Sequence, residues 1–494
     1  MKTLDLVIIF GYLIGIILVG AWFSRKQKTT RDYFLGDRTV PWWAIAASIV
    51  ATETSTITFI SVPGIVYARG GNFGFLQLVF GYLLGRIVIS LLFIPMYFRG
   101  DLLTVYQLLE QRFGSKIKML ASGLFIVMRN IADGIRLLLT AFVLAAVYVS
   151  FQPDANPETI VIASIILLGV VMIIFTFFGG MEAVIWIEVV QLGIYVFGAL
   201  AAALVIAQSV NGGWSAAWTT GAQFSKFTVF DFSLDFTKTY TFWAGLIGGC
   251  FLNMSTHGTD QYLVQRYLCT DKPNRAALAL LSSGAVILAQ FIGFLFIGVL
   301  LFAYYQPFNA PDYATLPAHY PFAGGDRVFP DFITKHLPSG LSGLVVAAIF
   351  AAALSSSLNS IAATAVNDLY KPFKRDADDR HLFRVSQILT VVWGVAQIAV
   401  ALFARKQNQS ALSAALSIAS LINGPILGVF LVGVFLKRVS QTPALIGMLT
   451  SCAVMLYVYW STKIAFTWYV LFGSGLTFIV SWLASFAFAA SQER

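Results

Sequence analysis

The sequence predicts an all-α polytopic membrane protein with about 13 transmembrane helices. The chain has 494 residues, of which 58% are hydrophobic and only 11% are charged, and its mean hydropathy is +0.79. Ordinary soluble proteins of this length do not have such a composition. A helix needs roughly 20 apolar residues to cross a bilayer. Apolar segments of about this length or longer lie at 4–23, 41–67, 73–97, 117–149, 158–178, 183–208, 240–264, 276–305, 340–370, 385–404, 411–436, 441–460 and 464–490.

The distribution of basic residues predicts how these helices are oriented. With the N-terminus outside and the C-terminus in the cytoplasm, 20 of the 32 lysine and arginine residues lie on the cytoplasmic side and nine on the opposite side. Cytoplasmic loops of membrane proteins carry such an excess of positive charge. We therefore predict a multi-pass protein of the plasma (inner) membrane. Its net charge of +9 then reflects topology, and no nucleic-acid partner is expected.

Cysteine and histidine usage argues against metal and disulfide chemistry. The three cysteines lie in or beside apolar segments, where they offer neither a disulfide framework nor a zinc pattern, and the four histidines are scattered along the chain. No nucleophile and base stand in a recognisable catalytic arrangement. The sequence therefore does not predict an enzyme.

The segment 41–72 departs most from a simple transmembrane helix. Its middle, ATETSTIT at 51–58, carries six polar residues, one of which is ionisable. Hydrocarbon disfavours such groups unless they face protein, water or an ion. We interpret the segment as a helix that opens at mid-span and leaves carbonyls free to bind a cation. The alternative is a bundle helix whose serine and threonine side chains bond to their own backbone.

Several motifs point to one family. The longest is TFFGGMEAVIWIEVVQ at 176–191, and the others are HGTDQYLVQR at 257–266, LSSSLNS at 354–360, DYFLG at 32–36 and NGPILGVF at 423–430. Together they resemble the motifs of the sodium:solute symporter family, which includes the sodium–glucose cotransporters. The motifs occur in the family's order and cover nearly the whole chain. The chain is therefore identified as a member of this family.

The resemblance implies a five-plus-five inverted repeat of the leucine-transporter type, with one helix before it and two after it. The predicted parts are a leading helix and cytoplasmic loop at 1–40, repeats at 41–208 and 240–436, an external loop at 209–239, and two C-terminal helices at 437–494. Spans 2 and 7 should be the broken helices, and both have polar middles, at 51–58 and 253–260.

The resemblance also implies sodium as the cofactor and a set of oxygen ligands for it. These are the carbonyls of Ala51, Thr54 and Ala352 and the hydroxyls of Ser355 and Ser356. Sodium prefers hard oxygen ligands, and positions 352, 355 and 356 share one helical face. The serine segment is about three residues shorter than the family pattern, so these serines align with either of two sodium sites. The alternative is that small residues simply allow close helix packing.

Two glutamates are expected to bear on ion coupling. Glu188 occupies a signature position where relatives usually carry aspartate. It binds a second ion, titrates and couples a proton, or is paired inside the bundle. Glu53 lies beside the proposed carbonyl ligands and is predicted to act in coupling. The alternative is that Glu53 faces a watery cavity without a direct role.

The solute is expected between the two broken helices at the membrane midplane. Candidate contacts carried over from the family are Ser55, Thr58, Gln77 and Asn253, whose hydroxyls and amides suit a polyhydroxylated or carboxylated solute. Thr256 falls where sugar-transporting relatives place an inner-gate tyrosine, with His257 beside it. Both depart from the sugar pattern, which weakens a strict glucose or galactose assignment.

Arg136 is a further candidate because a guanidinium inside the membrane can hold a carboxylate in a bidentate manner. Asp133 lies three residues earlier on the same helical face, so the alternative is that it simply neutralises Arg136.

These features predict a symporter in which the sodium gradient drives uptake of a small polar organic solute by alternating access. A sugar, a sugar acid or a monocarboxylate fits the candidate contacts. The alternatives are a proton-coupled symporter that uses Glu188 or Glu53, and a sensor or channel that has lost coupled transport. The predicted partners are the sodium ion, the solute and the lipid bilayer, with no obligate protein partner.

Overall fold

The computed structural model describes residues 2–24, 30–100, 102–152, 154–322, 324–354, 357–374, 376–405 and 411–489. In these ranges the only regular secondary structure is helical. The α-helices are α1 (Thr3–Ser24), α2 (Thr30–Leu35), α3 (Trp42–Glu53), α4 (Thr56–Tyr67), α5 (Leu76–Leu92), α6 (Ile94–Tyr97), α7 (Gln107–Phe113), α8 (Ser115–Phe151), α9 (Pro157–Ser209), α10 (Gly213–Gln223), α11 (Gly249–Gly258), α12 (Gln261–Leu268), α13 (Pro273–Tyr305), α14 (Val328–Lys335), α15 (Leu341–Leu354), α16 (Leu358–Thr364), α17 (Asp379–Ala404), α18 (Ala411–Phe435), α19 (Gln441–Ser461) and α20 (Tyr469–Ala489).

The predicted fold class, an all-α polytopic membrane protein, is confirmed. Among the described residues, eight helices are long and apolar enough to cross a membrane, or nine if the bent pair of α3 and α4 forms one span. Three shorter apolar helices lie at Thr3–Val19, Leu341–Ala351 and Ala419–Phe435. The count of 13 spans and the repeat boundaries stay predictions.

Two predicted spans are interrupted, which explains part of the lower count. Span 2 is divided between α3 and α4, and span 7 between α11 and α12. Each half is shorter than the roughly 20 residues that a bilayer requires. In span 7 the chain also makes a π-helical turn at Ala244–Gly248 before α11 begins.

Helix α9 contains the longest family motif and bends within it. Gly180 has φ of 62°, inside an otherwise helical run, and divides the apolar segments Pro157–Phe178 and Gly180–Ser209. Only glycine adopts this left-handed region without steric cost. The turn sends the second half of α9 back into the bundle, where Glu188 lies.

Glycines allow α5 to pack closely against the start of span 7. A Cβ atom on Gly81 would overlap the carbonyl oxygen of Gly245, and one on Gly85 would lie 2.8 Å from the Cβ of Asn253. Helices in membranes approach one another most closely at such small residues. The close packing brings the middle of α5, with Arg86, next to α11.

The end of α4 is covered by the segment 306–339. Tyr67 donates a hydrogen bond from its hydroxyl to the carbonyl of Tyr320 at 2.8 Å, and the backbone N–H of Arg69 donates to the carbonyl of Ala318 at 2.7 Å. A Cβ atom on Gly64 would overlap the carbonyl of Gly325. The segment therefore lies directly on α4 and closes this end of the bundle.

Candidate ion and solute site

Span 2 opens in its middle, as the sequence predicts. The axes on the two sides of the break are bent by 54°. Thr54 has φ −78° and ψ 50°, and Ser55 has φ −62° and ψ 164°, so both residues leave the helical region. The N–H of Thr54 donates to the carbonyl of Val50 at 2.8 Å. Because the chain then leaves the helix, the carbonyls of the last turn beyond Val50, including that of Ala51, lose their helical hydrogen bonds.

The predicted sodium ligands lie on both sides of this region. Ala51 and Thr54 are buried at the break. The Thr54 hydroxyl lies 2.7 Å from both the carbonyl of Val50 and Oε1 of Gln290, which leaves the Thr54 carbonyl as its available oxygen. Ala352 lies in the last turn of α15, a helix that packs against α4 and α8. Ser355 and Ser356 lie outside the described residues.

Asp133 on α8 holds the start of α16, at the last of the three consecutive serines in the LSSSLNS motif. Its Oδ2 accepts a hydrogen bond from the N–H of Ser357 at 3.0 Å and a second one from the Ser357 hydroxyl. A carboxylate in this position satisfies a backbone donor that a helix N-terminus leaves free. The start of α16 is therefore fixed to α8.

Glu53, the last residue of α3, joins three helices at the break. Its Oε1 is in contact with the Arg86 guanidinium on α5 and lies 2.9 Å from Nε2 of His257 on α11. Nδ1 of His257 is 2.8 Å from the hydroxyl of Tyr267. The hydroxyl of Thr58, after the break, donates to the carbonyl of Glu53 at 2.9 Å. The predicted coupling residue thus contacts both broken helices.

Glu188 forms a second buried ion pair, with Arg266 on α12. Nη2 of Arg266 lies 2.6 Å from Oε1 of Glu188, and Nε lies 3.3 Å from Oε2. The hydroxyl of Thr52 lies 3.1 Å from Oε1 and 2.7 Å from the carbonyl of Ser48, and the hydroxyl of Ser48 donates to Oε2. Both charged side chains are 0% exposed. Of the three predicted roles, this arrangement matches a carboxylate paired inside the bundle.

The candidate solute contacts on spans 2 and 7 lie near the Glu53 cluster. Ser55 is buried at the break. Asn253 is buried one turn before His257, and its Oδ1 has no hydrogen-bond partner. The hydroxyl of Thr256 is bonded to its own helix, at 3.0 Å from the carbonyl of Leu252. Asn253 therefore offers a free acceptor, whereas the Thr256 hydroxyl is already used.

Gln77 lies apart from this group. It precedes Arg86 by nine residues, which corresponds to roughly 13 Å along α5. Its Nε2 donates to the carbonyls of Gly74 and Tyr240, both at 3.1 Å, and its Oε1 accepts from the N–H of Asp231 at 3.0 Å. In this conformation Gln77 fixes the segment 224–240 to the first turn of α5.

Arg136 forms an ion pair with Asp133, which is the arrangement expected if Asp133 neutralises it. Its Nη1 lies 3.4 Å from Oδ1 of Asp133 and 3.4 Å from the hydroxyl of Tyr262. Nε has no hydrogen-bond partner, and the side chain is 12% exposed. The ring of Tyr262 also contacts the guanidinium groups of Arg129 and Arg266, with 4.7 and 4.6 Å to the ring centroid.

Lys226 covers the end of α4 from the predicted external loop. Its Nζ donates to the carbonyls of Val66 at 2.8 Å and Ala68 at 2.7 Å, and lies 4.0 Å from the ring centroid of Phe302. A cation at a helix C-terminus interacts favourably with the helix dipole. Burial lowers the pKa of Lys226 to about 8.

Sequence reasoning missed three polar residues that face the bundle. Arg86 is a single charge inside an apolar span, and its partner Glu53 lies 33 residues away. Gln290 bonds to Thr54 and leaves its own Nε2 without a partner. Gln191, one turn after Glu188, is fully buried and both its amide atoms lack partners. A lone amide in an apolar span was the available signal for both glutamines.

Broken helices at mid-span, a closed helical bundle and paired charges around the breaks define a membrane transporter of the leucine-transporter type. The family model of the sodium:solute symporter family matches residues 33–451. The chain belongs to the sodium:solute symporter family.

Individual relatives match over most of their length. The chain is 32% identical over 491 residues to the sodium/sialic acid symporter NanT of Aliivibrio fischeri, covering 98% of this chain and 93% of the relative. It is 28% identical to human sodium-coupled monocarboxylate transporter 1, covering 92% of this chain and 73% of the relative. A solved structure of a Na+-coupled sialic acid symporter, substrate-bound and outward-open, matches with a TM-score of 0.84, 30% identity and 98% coverage of both chains.

Family membership confirms several predictions at once. The chain is a multi-pass membrane transporter and not an enzyme, its coupling ion is sodium, and its cargo is a small solute. The identity of the solute, the sodium ligands, the solute contacts and the orientation of the termini stay predictions.

Proposed function

We propose that this protein imports a small carboxylate-bearing solute, a sugar acid or a monocarboxylate, together with sodium. The observation that carries the proposal is the likeness, over 98% of the chain, to symporters of sialic acid, which is a sugar acid. The likeness to a monocarboxylate transporter adds a second carboxylate solute. Buried arginines beside the broken helices supply the matching charge, because guanidinium groups bind carboxylates strongly.

Sodium binds, in this proposal, between the break of span 2 and the serine segment of span 9. The carbonyls of Ala51, Thr54 and Ala352 and the hydroxyls of Ser355 and Ser356 are its ligands. One observation supports this site: α3 ends at Glu53, so the carbonyls of its last turn are released from helical hydrogen bonds. The solute lies beside it, against Ser55, Thr58 and Asn253.

The transport step is alternating access in the plasma membrane, with the N-terminus outside. In the conformation described above, the segment 306–339 and Lys226 cover the end of α4. Sodium that binds better to the outward-open state would shift the equilibrium toward it and order the solute site. Coupling by such differential affinity requires no covalent step.

Uptake into proteoliposomes tests the proposal. An inward sodium gradient should drive accumulation of N-acetylneuraminic acid or pyruvate, whereas a potassium gradient of equal size should not. Glucose serves as the uncharged control solute. Accumulation driven by a pH gradient alone would refute sodium coupling in favour of protons, and sodium flux that is independent of every carboxylate would indicate a channel.

A further inference from the structure

The ion pair of Glu53 and Arg86 lies where the solute is expected and has no role in the mechanism above. Arg86 is 1% exposed and His257 is 2% exposed, whereas the Glu53 side chain is 13% exposed. The guanidinium and the imidazole are therefore sealed, and the carboxylate between them is the accessible member. Both donors converge on one oxygen, Oε1 of Glu53. Arg86 and His257 thus form a cradle that is shaped for a carboxylate.

Packing holds this cradle in place from two sides. Nε of Arg86 lies 3.4 Å from the hydroxyl of Ser283 on α13, and a Cβ atom on Gly284 would lie 3.0 Å from Cδ of Arg86. Nδ1 of His257 is held by the hydroxyl of Tyr267. Glu53 has no comparable support, because it is the last residue of α3 and the chain leaves the helix directly after it. The donors are fixed by packing, whereas the acceptor lies at the point where the backbone changes direction.

We propose that Arg86 and His257 are the subsite for the solute's carboxylate and that Glu53 occupies this subsite until sodium draws it away. The inference rests on the proposed carboxylate solute and deepens it. Sodium would bind at the carbonyl of Thr54, which is the residue next to Glu53. A cation at this position attracts the Glu53 carboxylate, and the solute carboxylate takes its place on Arg86.

Charge balance supports the exchange. Before binding, the cluster contains one guanidinium and one carboxylate. After binding, sodium is matched by Glu53, and Arg86 is matched by the solute, so no buried charge is left without a partner. Leaving one charge of such a pair unpaired is strongly destabilising. Sodium without solute, or solute without sodium, would each leave one charge unmatched, which is the thermodynamic content of coupling.

Truncation of Glu53 followed by addition of acetate tests the subsite. Glu53→Ala removes a CH₂–COO⁻ group, which matches acetate atom for atom, and leaves Arg86 without its carboxylate. The melting temperature of the purified full-length protein is measured with chloride replaced by acetate at constant ionic strength, in sodium and in potassium. A ligand that binds the folded state raises the melting temperature in a saturable manner. We expect acetate to raise the melting temperature of E53A in both sodium and potassium. In potassium, acetate should not raise the melting temperature of the wild type.

Two controls assign the effect to the cradle. The double variant E53A/R86M should not respond to acetate, because the guanidinium is absent. D231A removes the carboxylate of an exposed loop pair, where Lys238 and Asp231 are 52% and 41% exposed, and it should behave as the wild type does. Absence of any acetate effect in E53A overturns the subsite, and an effect that still requires sodium overturns the displacement of Glu53.

Glu53→Gln provides a second, isosteric test that does not create a cavity. With Glu53 unable to compete, N-acetylneuraminic acid should bind E53Q in potassium, and about tenfold more tightly than it binds the wild type in that salt. Equal or weaker binding would contradict the proposal. These results are independent of the test of the proposed function. If the protein does not transport carboxylates, the wild type shows no sodium-driven uptake in proteoliposomes, whereas the acetate response of E53A is measured without transport.

Discussion

Replacing Glu188 by glutamine should destabilise the protein severely, although the new side chain has the same size and shape. Arg266 is fully buried, and Glu188 accepts from both its Nε and its Nη2. Glutamine is neutral, so E188Q leaves a guanidinium buried without a counter-charge. Breaking a buried ion pair in this way costs about 3–5 kcal/mol of the free energy of unfolding. R266M should cost a similar amount, because it leaves the carboxylate of Glu188 unmatched.

The double variant E188Q/R266M separates this explanation from simple loss of packing. It removes both charges, so its cost should be less than the sum of the single costs, with a coupling energy of about 2–3 kcal/mol. Glu188→Asp is a milder change, because the carboxylate is retained about 1.5 Å further from Arg266. It should cost about 1.5–3 kcal/mol through loss of a charge-assisted hydrogen bond.

Equilibrium unfolding in mixed micelles of detergent and SDS measures these free energies. D231N breaks the exposed pair with Lys238 and serves as the control, with an expected cost below about 1 kcal/mol. If the double variant lost as much stability as the two single variants together, the pair would not be coupled, and Glu188 would have to be stabilised by something other than Arg266.

Three further predictions concern α4 and the proposed sodium site. Since burial lowers the pKa of Lys226 to about 8 from its ordinary value of 10.5, the unfolded state binds the extra proton between these values. The melting temperature should therefore rise as the pH increases from 8 to 10, and K226M should abolish that rise; an unchanged pH profile in K226M would assign it to another group. Gly64→Ala should cost about 1–3 kcal/mol because its Cβ atom would overlap the Gly325 carbonyl, whereas G11A, in open space on α1, should be neutral in the same unfolding assay. Ser356→Ala should raise the sodium concentration for half-maximal uptake by about tenfold, as loss of one ligand worth ~1.4 kcal/mol would; an unchanged sodium response removes this residue from the site.

The features that the sequence predicts well are those that depend on neighbours along the chain. The polar run at 51–58 interrupts an apolar span, and the structure breaks the helix at Thr54 and Ser55. Asp133 precedes Arg136 by three residues, and this spacing places the two side chains 3.4 Å apart. Hydrophobic length and helical spacing act locally, so they can be read from the chain directly.

The pairings that define the candidate site could not be predicted in the same way. Glu188 and Arg266 are 78 residues apart, and Glu53 and Arg86 are 33 apart. Each pair forms only because the packing of whole helices brings its members together, and many other pairings of the same charges fit the sequence equally well. The unpartnered amide atoms of Gln191 and the unpartnered Oδ1 of Asn253 could not be predicted either, because the surrounding fold decides whether a polar atom has a partner.

The buried arginines connect these observations to transport. Arg86, Arg129, Arg136 and Arg266 each lie against a carboxylate, in the order Glu53, Asp260, Asp133 and Glu188. Because an unpaired charge is costly inside a membrane, each of these four arginines is matched by a carboxylate before any ion enters. A sodium ion that enters such a bundle must either share an existing carboxylate or arrive with an anion of its own. Of the four carboxylates, Glu53 is the one that directly adjoins the break of span 2, where the sodium ligands are proposed, so it is the one that sodium can share at the least structural cost. The same charge balance is the physical basis of the proposal that a carboxylate solute is transported together with sodium.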